Sequence, residues 1–210
     1  PAVAAIAAEW VKNVDDMLGE EIAVGDTEFY ISDPATGKRR IRMNETNLGD
    51  FVADGIYTYF NEIEELHCDV AVMNGGGIRT DVPAGAWSFK TCKTVSPFGN
   101  VACLMSVTGQ QIQDALEFAA RFAGSGDENG GFLHVAGATY EIHTALPNTV
   151  PTDEKNVWQG SATGTPRVQN VKIYDKASGT YVPLDPAKKY ALAGMNYTLR
   201  NLGDGFAMFD

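Results

Sequence analysis

The sequence contains few histidines and cysteines, and lysine and arginine are scarce beside aspartate and glutamate. Its 210 residues include three histidines and three cysteines, and no cysteine pair has the C-x-x-C spacing of a zinc site. The net charge of −11 argues against nucleic acid as the main partner, because binding a phosphate backbone requires a broad basic surface. The apolar runs are too short for a membrane span, so we expect none.

Motifs typical of catalysis are missing as well. His67, His134 and His143 belong to neither an H-x-x-E-H nor an H-E-x-x-H arrangement, so we interpret each as a structural or exposed histidine. No G-x-S-x-G elbow supports a serine hydrolase. The sequence therefore predicts no catalytic residue and no metal ligand.

The cysteines are open to two interpretations. Cys68, Cys92 and Cys103 are expected to be small buried residues inside strands. An oxidising compartment would permit one disulfide among them.

Helical and strand-like segments alternate along the chain, without a repeat or a clear linker. Residues 2–18 have the periodicity of an amphipathic helix, with Ile6, Trp10, Val14 and Met17 on one stripe. Further helices are predicted after a cap at Thr46 or Asn47 and after the capping box that begins at Thr108. Strands are predicted at 20–31, 68–73, 86–93, 101–107, 168–174, 180–184 and 190–195. This pattern favours an α+β (mixed α/β) fold, with a mixed sheet flanked by helices.

A glycine run, Gly75 to Gly77, follows the predicted strand at 68–73. Thr80 stands where the dinucleotide-binding pattern needs a third glycine, and the Lys-Ser/Thr pair of a P-loop is absent. The run alone therefore indicates either a tight turn or a binding loop. Asn74 and Arg79 beside it favour a binding loop, because they can contact a base edge and an anion.

Four segments occur in the order found in one known family. They are Arg42-Met-Asn-Glu-Thr-Asn-Leu-Gly49, Val72-Met-Asn-Gly-Gly-Gly-Ile-Arg79, Ser96-Pro-Phe-Gly99 and Leu202-Gly-Asp-Gly-Phe206. Over 9–210 the chain resembles the C-terminal domain of the 5′-nucleotidase / UDP-sugar hydrolase / 2′,3′-cyclic phosphodiesterase family. The resemblance implies that domain's fold, with residues 1–20 as an interdomain-type helix and 21–210 as the substrate-binding domain.

The resemblance also implies a function. In that family an N-terminal metallophosphatase domain holds two divalent metal ions, and the C-terminal domain binds the nucleoside. We therefore expect this chain to bind a nucleotide or nucleoside, with a purine monophosphate favoured, and to be inactive alone, since the metal-bearing domain is absent from the sequence. The alternatives are a catalytically silent binding module, or a domain of a hydrolase for UDP-sugars, cyclic nucleotides or a sulfur substrate. Relatives usually work outside the cytoplasm, which implies a periplasmic or cell-surface location.

By the same resemblance, two aromatic rings and a carboxylate hold the nucleoside. Phe98 and Tyr197 match the rings that sandwich the base, and Asp204 matches the acceptor for the ribose hydroxyls. Stacking suits this role because every base offers a π-face. The alternative for Phe98 is an ordinary core aromatic.

The remaining matched residues concern the base edge and the anion. Asn74 matches a base-edge contact in the loop that contains Gly76 and Gly77, while Arg79 and Arg42 match arginines on the phosphate or sugar side. The alternative for Arg42 is membership of a solvated basic cluster, which consists of Lys38, Arg39, Arg40 and Arg42.

Three features depart from the family pattern. Asn44 stands where many relatives carry a second arginine, and Leu202 replaces the first glycine of Gly-Gly-Asp-Gly. The stretch between Asn196 and Asp204 is about one residue longer than usual, which weakens the assignment of Tyr197.

Overall fold

The computed structural model describes residues 2–210, so Pro1, part of the predicted 1–20 segment, lies outside it. The helices of the described part are α1 (Ala2–Leu18), α2 (Asn47–Thr58), α3 (Phe89–Val95), α4 (Gly109–Ala119) and α5 (Asn196–Leu199). The strands are β1 (Glu21–Gly25), β2 (Val70–Asn74), β3 (Gly85–Ser88), β4 (Ala102–Thr108), β5 (Leu133–Ala136), β6 (Ala138–Ile142), β7 (Val168–Asp175), β8 (Thr180–Pro183) and β9 (Lys189–Met195).

The central sheet has the strand order β4-β9-β2-β5. Strand β2 runs parallel to β9 and antiparallel to β5, and β4 runs antiparallel to β9. A second sheet, β6-β7-β8, is antiparallel throughout, and β1 pairs with β3. The predicted α+β class with a mixed sheet flanked by helices is therefore confirmed. The strands predicted at 168–174 and 180–184 form the β7-β8 hairpin.

Strand β2 is buried along its whole length because the core lies on both of its faces. Val70 and Val72 pack in one cluster with residues of α4, β7 and β9. Ala71 and Met73, which point to the opposite face, pack in a second cluster with residues of α2. Burial on both faces explains why this strand reads as a continuous apolar run in the sequence.

Local capping determines where two of the helices begin. The Thr46 hydroxyl accepts a hydrogen bond from the Gly49 amide at 3.2 Å and starts α2. Thr108 and Gln111 form a reciprocal capping box that starts α4, as the sequence predicts.

The predicted strand at 86–93 is wrong beyond Ser88. The Ser88 side chain and Thr91 form a capping box, which ends the strand and begins α3 at Phe89. The predicted strand at 20–31 is also too long, since β1 ends at Gly25. At Ser88, capping chemistry outweighs strand propensity.

Helix α1 has the predicted bounds, but its apolar stripe faces solvent. None of its residues is buried, and Trp10 is 68% exposed. An ion pair joins Asp15 to Lys90 of α3. The helix therefore leaves an apolar surface uncovered within the described part of the chain.

The cysteines only partly match the expectation of small buried strand residues. Cys68 is buried but precedes β2, Cys92 is exposed in α3, and Cys103 is half-buried in β4. All three are free thiols. The expectation is wrong for Cys92 because residues 89–95 form a short surface helix.

We predict that two glycines of α2 respond oppositely to alanine. A Cβ on Gly49 would lie 2.0 Å from His134 Nδ1, whereas a Cβ on Gly55 meets no atom within 4 Å. Gly49→Ala should destabilise the protein by about 1–3 kcal/mol through overpacking. Gly55→Ala, the matched control, should stabilise it by about 0.5–1 kcal/mol through helix propensity. Urea unfolding of both variants measures the difference, and equal effects would contradict the close packing of α2 on β5.

Candidate binding cavity at the end of strand β2

A cavity of about 290 Å³ opens beyond the carboxyl end of β2. All eight residues selected from the sequence line it, together with two that sequence reasoning missed, Asn100 and Gly130. The complete lining is Arg42, Asn74, Gly76, Gly77, Arg79, Phe98, Asn100, Gly130, Tyr197 and Asp204. Five separate parts of the chain therefore meet at one concave site.

The glycine run is a tight turn that also lines the cavity. Gly75 to Gly77 form a single 3-10 turn directly after β2. A Cβ on Gly75 would lie 2.0 Å from the Ile41 carbonyl oxygen, so only glycine lets the 40–42 turn approach this closely. The Gly76 amide donates a hydrogen bond to the Gly130 carbonyl at 2.8 Å. This bond joins the glycine turn to Gly130, which also lines the cavity.

The Asp204 carboxylate is held through both of its oxygens. Asn74 Nδ2 donates to Oδ2 at 3.0 Å, and the Tyr197 hydroxyl donates to Oδ1 at 3.1 Å. The Asp204 backbone is left-handed, with φ of 55°, which turns the residue toward β2. Each carboxylate oxygen keeps a further acceptor position, because an ionised carboxylate has about four lone-pair sites.

The two predicted aromatic rings stand at the cavity rather than in the core. Phe98 is 48% exposed and Tyr197 is 37% exposed, so the alternative of Phe98 as a core aromatic is wrong. The Tyr197 ring lies against Gly203, where a Cβ would approach Cζ to 2.4 Å. The lengthened stretch before Asp204 therefore still brings Tyr197 to the site.

The arginines of the cavity keep positive charge in it. Arg79 donates to the Gly76 carbonyl at 3.2 Å, and its guanidinium lies 5.9 Å from the Phe98 ring centre. Burial, followed by the nearby charges of Arg39 and Arg79, lowers the pKa of Arg42. Arg42 Nε is buried without a hydrogen-bond partner among residues 2–210. This guanidinium therefore has one donor that no described residue satisfies.

The alternative that Arg42 belongs to a solvated basic cluster does not describe its position. Arg39 Nε donates to Glu128 at 2.7 Å, while Arg42 is half-buried and lines the cavity. The cluster therefore divides into an exposed ion pair and a cavity arginine.

Two departures from the family pattern have clear positions. Asn44 lines a different cavity from Arg42, so it adds no contact to this site. Leu202 has φ of 54° and ψ of 31°, a conformation that favours glycine, and it packs partly buried against the core. The turn that carries Asp204 is therefore kept despite the loss of glycine.

The described residues do not fit a dimetal centre. Residues 2–210 contain no group of three or more His, Cys, Asp or Glu side chains placed to hold a metal ion. His134 donates from Nε2 to the Ile41 carbonyl, and His67 and His143 each lie against a single carboxylate. Within the same range, no helix combines the length and hydropathy that crossing a bilayer demands.

The architecture defines an α+β domain with a polar and aromatic cavity at the carboxyl end of strand β2 in its central sheet. The family model of the 5′-nucleotidase, C-terminal domain matches residues 23–210. The chain is 31% identical over 204 residues to the trifunctional nucleotide phosphoesterase protein YfkN of Bacillus subtilis, covering 96% of this chain and 12% of that protein. It is 27% identical to protein UshA of Escherichia coli, covering 90% and 27% respectively.

A solved structure agrees with these matches. The 5′-nucleotidase precursor from Thermus thermophilus is similar with a TM-score of 0.75 and 27% identity, covering 99% of this chain and 35% of that one. The chain belongs to the 5′-nucleotidase C-terminal domain family. It spans 12% to 35% of the length of these three relatives.

We predict that the Tyr197 phenol reports the charge of Asp204. Burial and then the Asp204 carboxylate raise the pKa of Tyr197. Asp204→Asn removes the negative charge, so the Tyr197 pKa should fall toward the ordinary tyrosine value of about 10. An NMR titration of ¹³Cζ-labelled tyrosine measures this shift. Glu154→Gln, on an exposed loop, is the control of equal charge change, and an unchanged Tyr197 pKa in Asp204→Asn would contradict the described contact.

Proposed function

We propose that this chain is the substrate-binding domain of a 5′-nucleotidase-type phosphoric ester hydrolase, and that its cavity binds the nucleoside part of a nucleotide. The observation that carries the proposal is the meeting of two exposed rings, a doubly hydrogen-bonded carboxylate and two arginines around one cavity. Membership in the family supports the same conclusion.

The base is proposed to lie between Phe98 and Tyr197. Both rings are partly exposed at the cavity, and a planar heterocycle between them removes apolar area from water on both of its faces. Asn74 is proposed to contact the base edge with its amide. A purine is favoured because its larger face stacks more strongly.

The ribose is proposed to donate its hydroxyls to Asp204. Asn74 and Tyr197 fix the orientation of the carboxylate, and one acceptor position on each oxygen remains for the sugar. Arg42 and Arg79 are proposed to pair with the phosphate oxygens or the sugar side, because a guanidinium fork suits phosphate geometry. Gly76 and Gly77 provide backbone that a ligand can approach closely.

The chemistry is proposed to occur outside this chain. Two divalent metal ions of a metallophosphatase domain, preceding this one in the parent polypeptide, would supply the hydrolytic centre, since residues 2–210 offer no fitting ligands. The domain division proposed is a connecting helix at 1–20 and the substrate-binding domain at 21–210. The uncovered apolar stripe of α1 supports a helix that packs against a neighbouring domain. An extracytoplasmic location is proposed from family membership.

Removal of the Phe98 ring should weaken nucleoside binding. Stacking contributes about 1–3 kcal/mol per base, so Phe98→Ala should raise the Kd for adenosine roughly 5- to 140-fold. Phe89→Ala removes an exposed ring of α3 that does not line the cavity and should leave the Kd unchanged. Isothermal titration of both variants makes the comparison. Equal affinities would sink the proposed stacking.

The chain alone should release no phosphate from AMP with Mg²⁺, Mn²⁺ or Zn²⁺ added. A phosphate-release assay measures this, with adenosine binding by the same preparation as the control for a folded site. Metal-dependent turnover that disappears on Asp204→Ala would refute the division of roles between the two domains.

A further inference from the structure

The turn that carries Asp204 has a backbone that its own residues disfavour. Leu202 and Asp204 have φ of 54° and 55°, and Gly205 has φ of 90°. The left-handed region costs free energy at residues other than glycine, so such a backbone persists only where its surroundings hold it. The hydrogen bonds inside the turn are long, from the Gly205 amide to the Leu202 carbonyl at 3.2 Å and from the Phe206 amide to the Gly203 carbonyl at 3.5 Å. Part of the constraint must therefore come from neighbouring segments.

A second turn, residues 152–158 of the long loop between β6 and β7, packs directly against Gly205. The Trp158 amide donates to the Gly205 carbonyl at 3.0 Å, and the Trp158 ring packs partly buried against the core. A Cβ on Gly205 would lie 2.6 Å from the Asn156 carbonyl oxygen and 3.0 Å from the Val157 Cα. The two backbones therefore meet without room for a side chain, and a shift of one turn displaces the other.

One exposed carboxylate, that of Asp153, organises the 152–158 turn. Its Oδ1 accepts from the Lys155 amide at 2.8 Å and from the Val157 amide at 2.9 Å. The backbone adds two bonds, from the Asp153 amide to the Val157 carbonyl and from the Asn156 amide to the Asp153 carbonyl, both at 3.0 Å. Asn156 has φ of 61°, so this turn also holds a residue in the left-handed region. The conformation of the segment that touches Gly205 therefore depends on Asp153.

An aspartate that caps a surface turn ordinarily acts only on that turn. Asp175, in the turn between β7 and β8, is such a residue, since its carboxylate accepts from the Ala177 and Ser178 amides at 3.3 and 3.1 Å. A Cβ on Gly179 of that turn meets no atom within 4 Å. Asp153 differs because its turn lies against the backbone next to a residue of the nucleoside cavity.

We propose that Asp153 is a positioning residue for the nucleoside cavity, and that it fixes the Asp204 carboxylate toward the ribose through the 152–158 turn and Gly205. None of the described residues 152–158 lines the cavity, so Asp153 acts on the sugar contact without touching the ligand. The ligand is that of the proposed function, on which this inference rests, whereas the hold on Asp204 exists without a ligand.

A titration of the free protein tests the hold on Asp204. The Tyr197 hydroxyl donates to Asp204 Oδ1 at 3.1 Å, and after burial the Asp204 charge is the next cause of the raised Tyr197 pKa. Asp153→Ala should therefore lower the Tyr197 pKa part of the way that Asp204→Asn lowers it, as measured by NMR of ¹³Cζ-labelled tyrosine. Asp153→Asn removes the same charge but keeps the acceptor oxygen, so it should leave the Tyr197 pKa unchanged. A Tyr197 pKa that is the same in Asp153→Ala and the wild type would overturn the proposal, whether or not the chain binds a nucleoside.

Isothermal titration with adenosine and with 2′,3′-dideoxyadenosine, which lacks both ribose hydroxyls, tests the effect on the sugar contact. Asp153→Ala should raise the Kd for adenosine roughly threefold to tenfold and leave the Kd for the dideoxy ligand unchanged, because that ligand offers Asp204 no such donors. Asp153→Asn should restore the wild-type Kd. Equal weakening of both ligands would show a general structural role and overturn the proposal. If the wild type binds no adenosine, the proposed function fails, and the Tyr197 titration decides the role of Asp153.

Matched variants test the route through Asp204. Asp175→Ala removes an equivalent turn cap far along the chain and should leave both the adenosine Kd and the Tyr197 pKa unchanged. In an Asp204→Asn background, Asp153→Ala should raise the adenosine Kd no further, since the group it positions is already altered. Asp153→Ser, with a shorter acceptor, is the second variant should Asp153→Ala fold poorly, and it should still raise the adenosine Kd. An equal effect of Asp175→Ala, or a further rise in the double variant, would refute the positioning role.

Discussion

The cavity depends on one hydrogen bond, from Asn74 Nδ2 to Asp204 Oδ2, which joins residues 130 positions apart in the chain. Asn74 is 3% exposed at the end of the fully buried strand β2, so its amide has little access to water. Leaving such a buried donor unpaired costs about 1–3 kcal/mol. The bond therefore ties the C-terminal turn to a strand at the centre of the core and fixes the carboxylate in the cavity.

Charge is distributed unevenly around this bond. The chain carries a net charge of −11, yet Arg42 and Arg79 line the first cavity. Glu128 forms its ion pair with Arg39 instead of Arg42. A larger cavity beside α2, β5 and β6 has the opposite character, with Glu45 and Asp50 and no basic residue in its described lining. The first cavity therefore has a net positive lining and the larger one a net negative lining.

The residues chosen from the sequence meet at one cavity, whereas several predicted strand boundaries are wrong. The family resemblance named eight of the ten residues that line this cavity, and close contacts such as Gly75 on Ile41 permit only particular residue types around it. Asn100 and Gly130 were missed, since an asparagine after a glycine and a glycine pair occur in many ordinary loops. The strand predicted at 86–93 failed because the cap at Ser88 outweighs strand propensity. The apolar periodicity predicted helix α1, but it did not predict that the apolar stripe of this helix is exposed. Exposure depends on what the helix packs against.

Binding of a nucleoside between two rings, anchored at Asp204, is the central claim, and a crystal structure of the chain with adenosine tests it most directly. Density for the base is expected between Phe98 and Tyr197, with both ribose hydroxyls within hydrogen-bond distance of the Asp204 carboxylate and the hydrogen bond from Asn74 to Asp204 intact. Adenosine bound elsewhere on the domain, or bound in the cavity with its ribose turned away from Asp204, would contradict it.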